Sequence, residues 1–99
     1  MAKKQERFVV VTTDKDRGGV FGGILVAHDP DKATCTLTGA RMAVYWSPET
    51  RGVTGLASIG PQVGSRISPA IPSVELNGVT AIMDVTKAAK EKWEDEPWT

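Results

Sequence analysis

The sequence predicts a mainly β (α+β) domain: a small antiparallel sandwich or partly open barrel of about five to seven strands, with one short C-terminal helix. Glycine and proline account for 10 and 6 of the 99 residues, which is many for a helical bundle and usual for a turn-rich β protein. Short runs of β-branched and aromatic residues alternate with turn signals along the chain. A chain of this length, 40% of it apolar, builds one compact domain with a thin core.

The charged residues divide the chain into three parts. Lysine and arginine number 12, as do aspartate and glutamate, so the formal net charge is zero. Basic residues prevail in residues 1–7 and acidic residues in residues 94–99, and we expect both ends to be solvated and mobile. We expect a single folded domain over residues 8–93.

Two strands are predicted in the first part of this domain. Residues 8–13 form a β-branched run that is too short for an independent helix. A polar loop with two glycines follows, and residues 20–28 form the second predicted strand. Gly22 and Gly23 inside it indicate a bulge, or a place where another group approaches the backbone closely.

A turn at residues 29–32 is predicted to lead into a return strand over residues 33–38. Cys35 and Leu37 fall on one face of that strand and threonines fall on the other, as in a half-buried antiparallel strand. The alternation resumes over residues 41–46. We expect the core face there to carry Met42, Val44 and Trp46. The opposite face would carry Arg41, Ala43 and Tyr45.

The second half of the chain carries fewer periodic signals. Residues 53–60 are compatible with a helical turn or a short strand, because glycines interrupt both patterns. Asn77-Gly78 between two apolar runs predicts a hairpin whose second arm is residues 79–85. Thr86 is a candidate cap for a helix from Lys87 to about residue 94, whose buried face would include Ala89 and Trp93.

The ordered residues resemble a known family of proteins. The resemblance covers nearly all of residues 8–93 and is carried by Phe8-Val9-Val10-Val11, Gly19-Val20-Phe21-Gly22-Gly23-Ile24-Leu25, Leu37-Thr38-Gly39-Ala40-Arg41-Met42, Tyr45-Trp46, Gly55-Leu56-Ala57, Arg66-Ile67-Ser68 and Val74-Glu75-Leu76. The family is an uncharacterised group of small phage and prophage proteins, catalogued as a domain of unknown function. The resemblance implies a viral or prophage context, and therefore the cytoplasm of a bacterial host, without supplying a mechanism.

Composition excludes several classes of function. No apolar run approaches the roughly 20 residues of a membrane span, and the first residues lead into no signal-peptide core. Zero net charge argues against a dedicated duplex-DNA binder. One cysteine and one histidine exclude an internal disulfide and the familiar all-protein zinc site, so we expect no metal and no cofactor.

An enzyme is disfavoured as well. His28 and Cys35 lie on the two arms of one predicted hairpin, as diagonal neighbours roughly 7–8 Å apart at Cα if residue 26 opposes residue 35. No third group is evident to orient the histidine as a base. We therefore interpret Cys35 as a small core residue and His28 as a solvated strand end.

Arginine combined with aromatic residues is the better candidate for a site. Guanidinium groups suit phosphate oxygens, aromatic faces suit nucleobases, and glycines let backbone amides approach an anion. The candidate ligand-binding residues are Arg17, Arg41, Tyr45, Arg51 and Arg66. The competing interpretation is that these arginines are separate solubilising residues on the surface, since their number is not an enrichment.

Several short antiparallel strands leave edges that must be covered, and pairing between subunits would do so, so we expect a homo-oligomer. The leading functional hypothesis is a non-enzymatic protein that binds or sequesters a small anionic ligand. Its most specific version is a nucleotide, such as a cyclic nucleotide signal in host defence. Two alternatives remain. One is a module that acts on a host protein through an edge strand or through the acidic segment that contains Trp98; the other is a single-stranded nucleic-acid binder.

Overall fold

A computed structural model describes residues 7–14 and 19–95 of the chain. The strands of the described part are β1 (Phe8–Thr13), β2 (Val20–Asp29), β3 (Thr34–Tyr45), β4 (Arg66–Ile67), β5 (Ile71–Leu76) and β6 (Val79–Asp84). Its α-helices are α1 (Gly52–Ser58) and α2 (Lys87–Asp95), and a 3-10 turn spans Pro48–Thr50. All the strand pairings are antiparallel, so the prediction of a mainly β fold with a C-terminal helix is confirmed. Nowhere in the described part is a helix long and apolar enough to cross a membrane.

The sheet is open but strongly curled. Its strand order is β4-β3-β2-β1-β6, and β5 also pairs with β3. β5 and β6 therefore lie at opposite sides of the pairing order, although only Asn77 and Gly78 separate them. The two edges must approach each other at this turn. The amide of Val79 accordingly donates a hydrogen bond of 2.9 Å to the carbonyl of Ala33, at the start of β3.

The prediction of a hairpin across Asn77-Gly78 is wrong. The connection is as short as predicted, but β5 pairs with β3 and β6 pairs with β1. Each strand extends a ladder that the sheet already provides, and the curl lets a two-residue connection join them. The residues of a turn determine where the chain reverses direction. Which strand each arm then pairs with depends on contacts between residues that are distant in the sequence.

Two apolar clusters cover the two faces of β1. Val9 and Val11 point into the curl of the sheet, where they pack with Cys35, Leu37, Ala40 and Leu76. Val10 points to the other face, which α1 and α2 cover, and packs with Ala43, Leu56, Ala57, Ile67 and Trp93. All three valines are fully buried, which explains why β1 is a continuous apolar run and not an alternating one.

Trp93 anchors α2 to the sheet. Its ring is fully buried, and its indole Nε1 donates a hydrogen bond of 2.9 Å to the carbonyl of Leu56. A Cβ atom at Gly22 would lie 3.0 Å from the ring, so Gly22 admits the close approach that its sequence context predicted. A register shift between Gly22 and Ile24 confirms the bulge there as well. The Thr86 cap is also confirmed, because its Oγ1 accepts a 3.1 Å hydrogen bond from the amide of Ala89.

The predicted core face of residues 41–46 is wrong in part. Ala43 is buried under the helices, whereas Val44 is 57% exposed. The register between β3 and β4 shifts between Ala43 and Tyr45, and a bulge of this kind disrupts the strict alternation of side chains. Trp46 nevertheless packs against the cluster around Val10, as expected.

The ambiguous segment at residues 53–60 is helical over α1. Gly55 lies within it, and a Cβ atom at this position would overlap the carbonyl oxygen of Thr50. The glycine that weakened the sequence signal therefore serves close packing between the 3-10 turn and α1.

Candidate functional site

A cleft at the junction of β3 and β4 contains two of the sequence-predicted residues. Tyr45 ends β3, Arg66 begins β4, and the two are direct partners in the antiparallel ladder. Together with Val44 and Gly64 they line an open cleft of about 360 Å³, which we call the Tyr45–Arg66 cleft. Tyr45 is 51% exposed and Arg66 is also exposed, so a ring and a guanidinium face solvent side by side.

Buried hydroxyl groups fix the geometry of this cleft. Ser47, Thr50 and Ser65 are all buried. The amide of Ser47 donates to Ser65 Oγ at 3.0 Å, and the hydroxyls of Thr50 and Ser65 lie 3.3 Å apart. The amide of Gln62 donates to Thr50 Oγ1 at 3.1 Å. This hydroxyl cluster ties the chain after Tyr45 to the chain before Arg66, and a buried network with satisfied partners is rigid.

Sequence reasoning missed the hydroxyl cluster. Serine and threonine near the ends of short elements are common caps, and that was the available signal. Ser47 precedes the 3-10 turn but makes no capping hydrogen bond with its side chain. Its hydroxyl lies 3.4 Å from those of Thr50 and Ser65, and the second of these contacts spans 18 positions in the chain. Only the tertiary fold brings that pair together.

The guanidinium of Arg66 carries an uncompensated charge within the described part of the chain. Arg7 pairs with Asp84 and Lys90 pairs with Glu94, and within the described residues no carboxylate forms an ion pair with Arg66. A guanidinium that no carboxylate neutralises retains its fork of donors for an anionic partner. The Tyr45–Arg66 cleft therefore combines a positive charge with an accessible aromatic face.

The other predicted arginines lie elsewhere. Arg41 lines a separate cleft of about 240 Å³, with Phe8, Trp93 and Glu94 among its neighbours. Arg51 is exposed and occupies the left-handed position, with φ of 70°, that joins the 3-10 turn to α1. It follows Thr50 directly and so borders the hydroxyl cluster, but it does not line the Tyr45–Arg66 cleft. Arg17 and Trp98 lie outside the described residues.

The pairing predicted for His28 and Cys35 requires a correction. They are direct partners across β2 and β3, not diagonal neighbours, because Asp29 pairs with Thr34 and a register shift follows Leu25. Cys35 is only 3% exposed and belongs to the core, as predicted. Burial raises the pKa of the Cys35 thiol, which disfavours the thiolate that a nucleophile requires.

A further cleft of about 360 Å³ runs along β6. We call it the β6 cleft, and it is lined by Arg7, His28, Pro30, Ala33, Val79, Thr80, Ala81 and Ile82. Nε of Arg7 donates to Oδ1 of Asp84 at 2.6 Å, so the charge of this arginine is compensated. No periodicity indicated this cleft, because the curl of the sheet assembles it from the residue before β1, the end of β2, the β2–β3 turn and β6.

Comparison with known proteins gives one match. No curated protein and no solved structure is significantly similar to this chain. A family model described as a domain of unknown function, DUF6948, matches residues 6–93. The matched region spans the described strands and ends at Trp93 in α2, the residue that anchors this helix to the sheet. The chain therefore belongs to DUF6948, a family of domains of unknown function.

Proposed function

We propose that this protein is a non-enzymatic, homo-oligomeric binding protein that holds a small anionic ligand in the Tyr45–Arg66 cleft. The observation that carries the proposal is the direct pairing of an exposed aromatic ring with an uncompensated guanidinium on a rigid support. The buried hydroxyl cluster holds the chain next to Tyr45 and Arg66 in place, so the backbone of the protein loses little conformational freedom when an anion enters the cleft.

The chemistry of the cleft favours a ligand with a negative group and a planar group. A phosphate oxygen suits the guanidinium fork of Arg66, and a base suits the face of Tyr45. Ligand pockets commonly measure about 300–1,000 Å³. A cleft of about 360 Å³ lies at the small end of this range and suits one nucleotide.

We propose binding without conversion because of the groups that the cleft lacks. The described residues that line it are a valine, a tyrosine, a glycine and an arginine, and these contribute no carboxylate, imidazole or thiol. General acid–base or nucleophilic catalysis most often depends on such groups. The thiol of Cys35 is buried inside the curl of the sheet and does not line the cleft.

The most specific form of the proposal concerns biological context. The resemblance to small phage and prophage proteins supports a viral origin and action in the cytoplasm of a bacterial host. In that setting, a stoichiometric binder of a cyclic nucleotide would remove a signal that host defence uses. Sequestration requires affinity and abundance but no turnover, which agrees with a cleft whose described residues contribute no carboxylate, imidazole or thiol.

The first experiment is a native mass spectrum of the protein gently purified from cells. Extra mass of a few hundred daltons per subunit would support the proposal and identify the ligand class. Calorimetry with 3′,5′-cyclic AMP and with inorganic phosphate then tests the cleft directly. We expect Arg66→Ala to weaken cyclic AMP binding about tenfold, the equivalent of one charge-assisted hydrogen bond near a surface.

Arg41→Ala is the matched control, because it removes an arginine of the same sheet that lines a different cleft. We expect it to leave the affinity within a factor of two. Equal affinities of the parent protein and the Arg66→Ala variant would refute the Tyr45–Arg66 cleft as the site. A steep loss of affinity with salt for oligonucleotides, together with no cyclic AMP binding, would favour the single-stranded nucleic-acid alternative.

A further inference from the structure

The free edges of the sheet differ in how well they are protected. β4 has two residues, and β5 contains Pro72, which has no amide hydrogen to donate. β6 has six residues and no proline. An unprotected edge strand is a template for pairing with another chain, and proline or a very short edge prevents this.

The hydrogen bonds of β1 reveal which backbone groups of β6 are free. The amide of Leu25 donates to the carbonyl of Arg7 at 2.8 Å, next to the Phe8–Ile24 pair. That bond makes Phe8–Ile24 a pair without direct hydrogen bonds. Because antiparallel ladders alternate, Val9 directs its backbone groups to β2 and Val10 directs its own to β6.

The partner of Val10 on β6 is Met83. Met83 therefore directs its amide and carbonyl to β1, and its neighbours Ile82 and Asp84 direct theirs away from the sheet. At the other end of β6, the outward amide of Val79 is already bonded to Ala33. Within the described residues, the unpaired part of the edge is thus centred on Met83.

We propose that β6 of a second copy of this chain pairs with this edge, antiparallel and about a two-fold axis that passes through Met83. In this register Ile82 lies opposite Asp84 of the second copy, and Asp84 lies opposite Ile82 of the second copy. The two reciprocal pairs form about four backbone hydrogen bonds. The half-buried side chains of Ile82 and Met83 become covered at the same time.

The charges along the edge suit pairing with an identical strand. Asp84 is the charged residue of β6, and Arg7 of the same chain compensates it at 2.6 Å. The proposed register sets Asp84 against an apolar residue and not against a second aspartate, so no like charges meet. Isologous contacts of this kind close a dimer and leave no part of the β6 edge exposed for further growth.

This inference does not depend on the ligand, because Tyr45 and Arg66 belong to β3 and β4. A failure of the dimer and a failure of ligand binding are therefore separate results. If the edge instead bound an extended peptide from another protein, the purified chain would stay monomeric, and that outcome would overturn the proposal.

The test compares two substitutions at one position by sedimentation velocity across a range of protein concentrations. Asp84→Pro removes an outward amide hydrogen and places a ring on the edge, whereas Asp84→Asn keeps the amide and removes the charge. We expect the parent protein and Asp84→Asn to dimerise alike, and the dissociation constant of Asp84→Pro to rise at least tenfold. A monomeric parent, or an Asp84→Pro variant that dimerises as the parent does, overturns the proposal.

Hydrogen exchange of the unmodified protein keeps the test decisive if Asp84→Pro does not fold. We expect the amides of Ile82 and Asp84 to exchange more slowly as the protein concentration rises through the dimerisation range. The amide of Val79 is the internal control, because Ala33 already holds it in the monomer. A dimer in which the amides of Ile82 and Asp84 show no concentration dependence contradicts pairing through β6.

Discussion

The Tyr45–Arg66 cleft and the β6 cleft have the same volume, about 360 Å³, and each is lined by an arginine. They differ in what surrounds that arginine. Arg66 has an aromatic neighbour and no compensating carboxylate within the described residues, whereas Arg7 is paired with Asp84 at 2.6 Å. Two clefts of equal size therefore differ in the charge that folding leaves uncompensated, and this difference is the basis of the anion site that we propose.

The support beneath the two clefts also differs. The Tyr45–Arg66 cleft rests on the buried hydroxyl cluster of Ser47, Thr50 and Ser65. The β6 cleft is bordered by a strand edge whose outward amide at Val79 is bonded to the β2–β3 turn. A rigid support suits recognition of a small ligand, and a free strand edge suits pairing with a second chain.

The largest effect that we predict comes from Thr50→Val, which removes the central hydroxyl of the Tyr45–Arg66 support. The amide of Gln62 and the hydroxyl of Ser65 lose a buried partner, at a cost of about 1–3 kcal/mol in the free energy of unfolding. Urea denaturation measures this change. Thr54→Val is the matched control, since Thr54 is exposed on α1, and an equal loss in both variants would show that the cluster is not a support.

The second prediction concerns a substitution that gives the Tyr45–Arg66 cleft a carboxylate beside its arginine, as in the β6 cleft. Val44→Glu introduces a carboxylate at an exposed position that lines the cleft, where it would compensate Arg66 as Asp84 compensates Arg7. We expect cyclic AMP binding to weaken about tenfold by calorimetry, because the carboxylate both pairs with Arg66 and repels the phosphate. Val44→Gln introduces a side chain of the same size without the negative charge, and it should retain most of the affinity for cyclic AMP.

The third prediction concerns the aromatic difference between the clefts. Tyr45→Leu removes the ring but keeps an apolar side chain, and we expect about a fivefold loss of cyclic AMP affinity, at the low end for stacking on a base. Tyr45→Phe keeps the ring and should bind as the parent protein does. If Tyr45→Phe lost as much affinity as Tyr45→Leu, the hydroxyl and not the ring would be the binding group.

The smallest effect is expected in the β6 cleft. Asp84→Asn breaks an exposed ion pair, and such pairs contribute less than about 1 kcal/mol to stability, as thermal unfolding would measure. It also leaves Arg7 uncompensated without placing a ring beside it. We expect no gain of cyclic AMP binding when Asp84→Asn is combined with Arg66→Ala. A recovery of binding in that double variant would show that an unpaired arginine is sufficient.

Local signals in the sequence were sufficient for much of the architecture. The valine run of β1, the cap at Thr86 and the spacing of Ala89 and Trp93 all depend on residues within a few positions of one another. Gly22 indicated a close approach because a strand position without a side chain usually serves one. These elements form as predicted since backbone preferences and the burial of apolar side chains act locally and in the same direction.

The partners of these elements were decided by the tertiary structure alone. The separation of β5 from β6, the bulge near Tyr45 and the contact between Ser47 and Ser65 each join segments that are distant in the chain or reverse a local pattern. The grouping of the arginines followed the same rule, because the pairing of β4 with β3 placed Arg66 beside Tyr45, whereas Arg41 lines another cleft. Residue types determined which strands and caps could form, whereas long-range pairing determined which charges remained uncompensated.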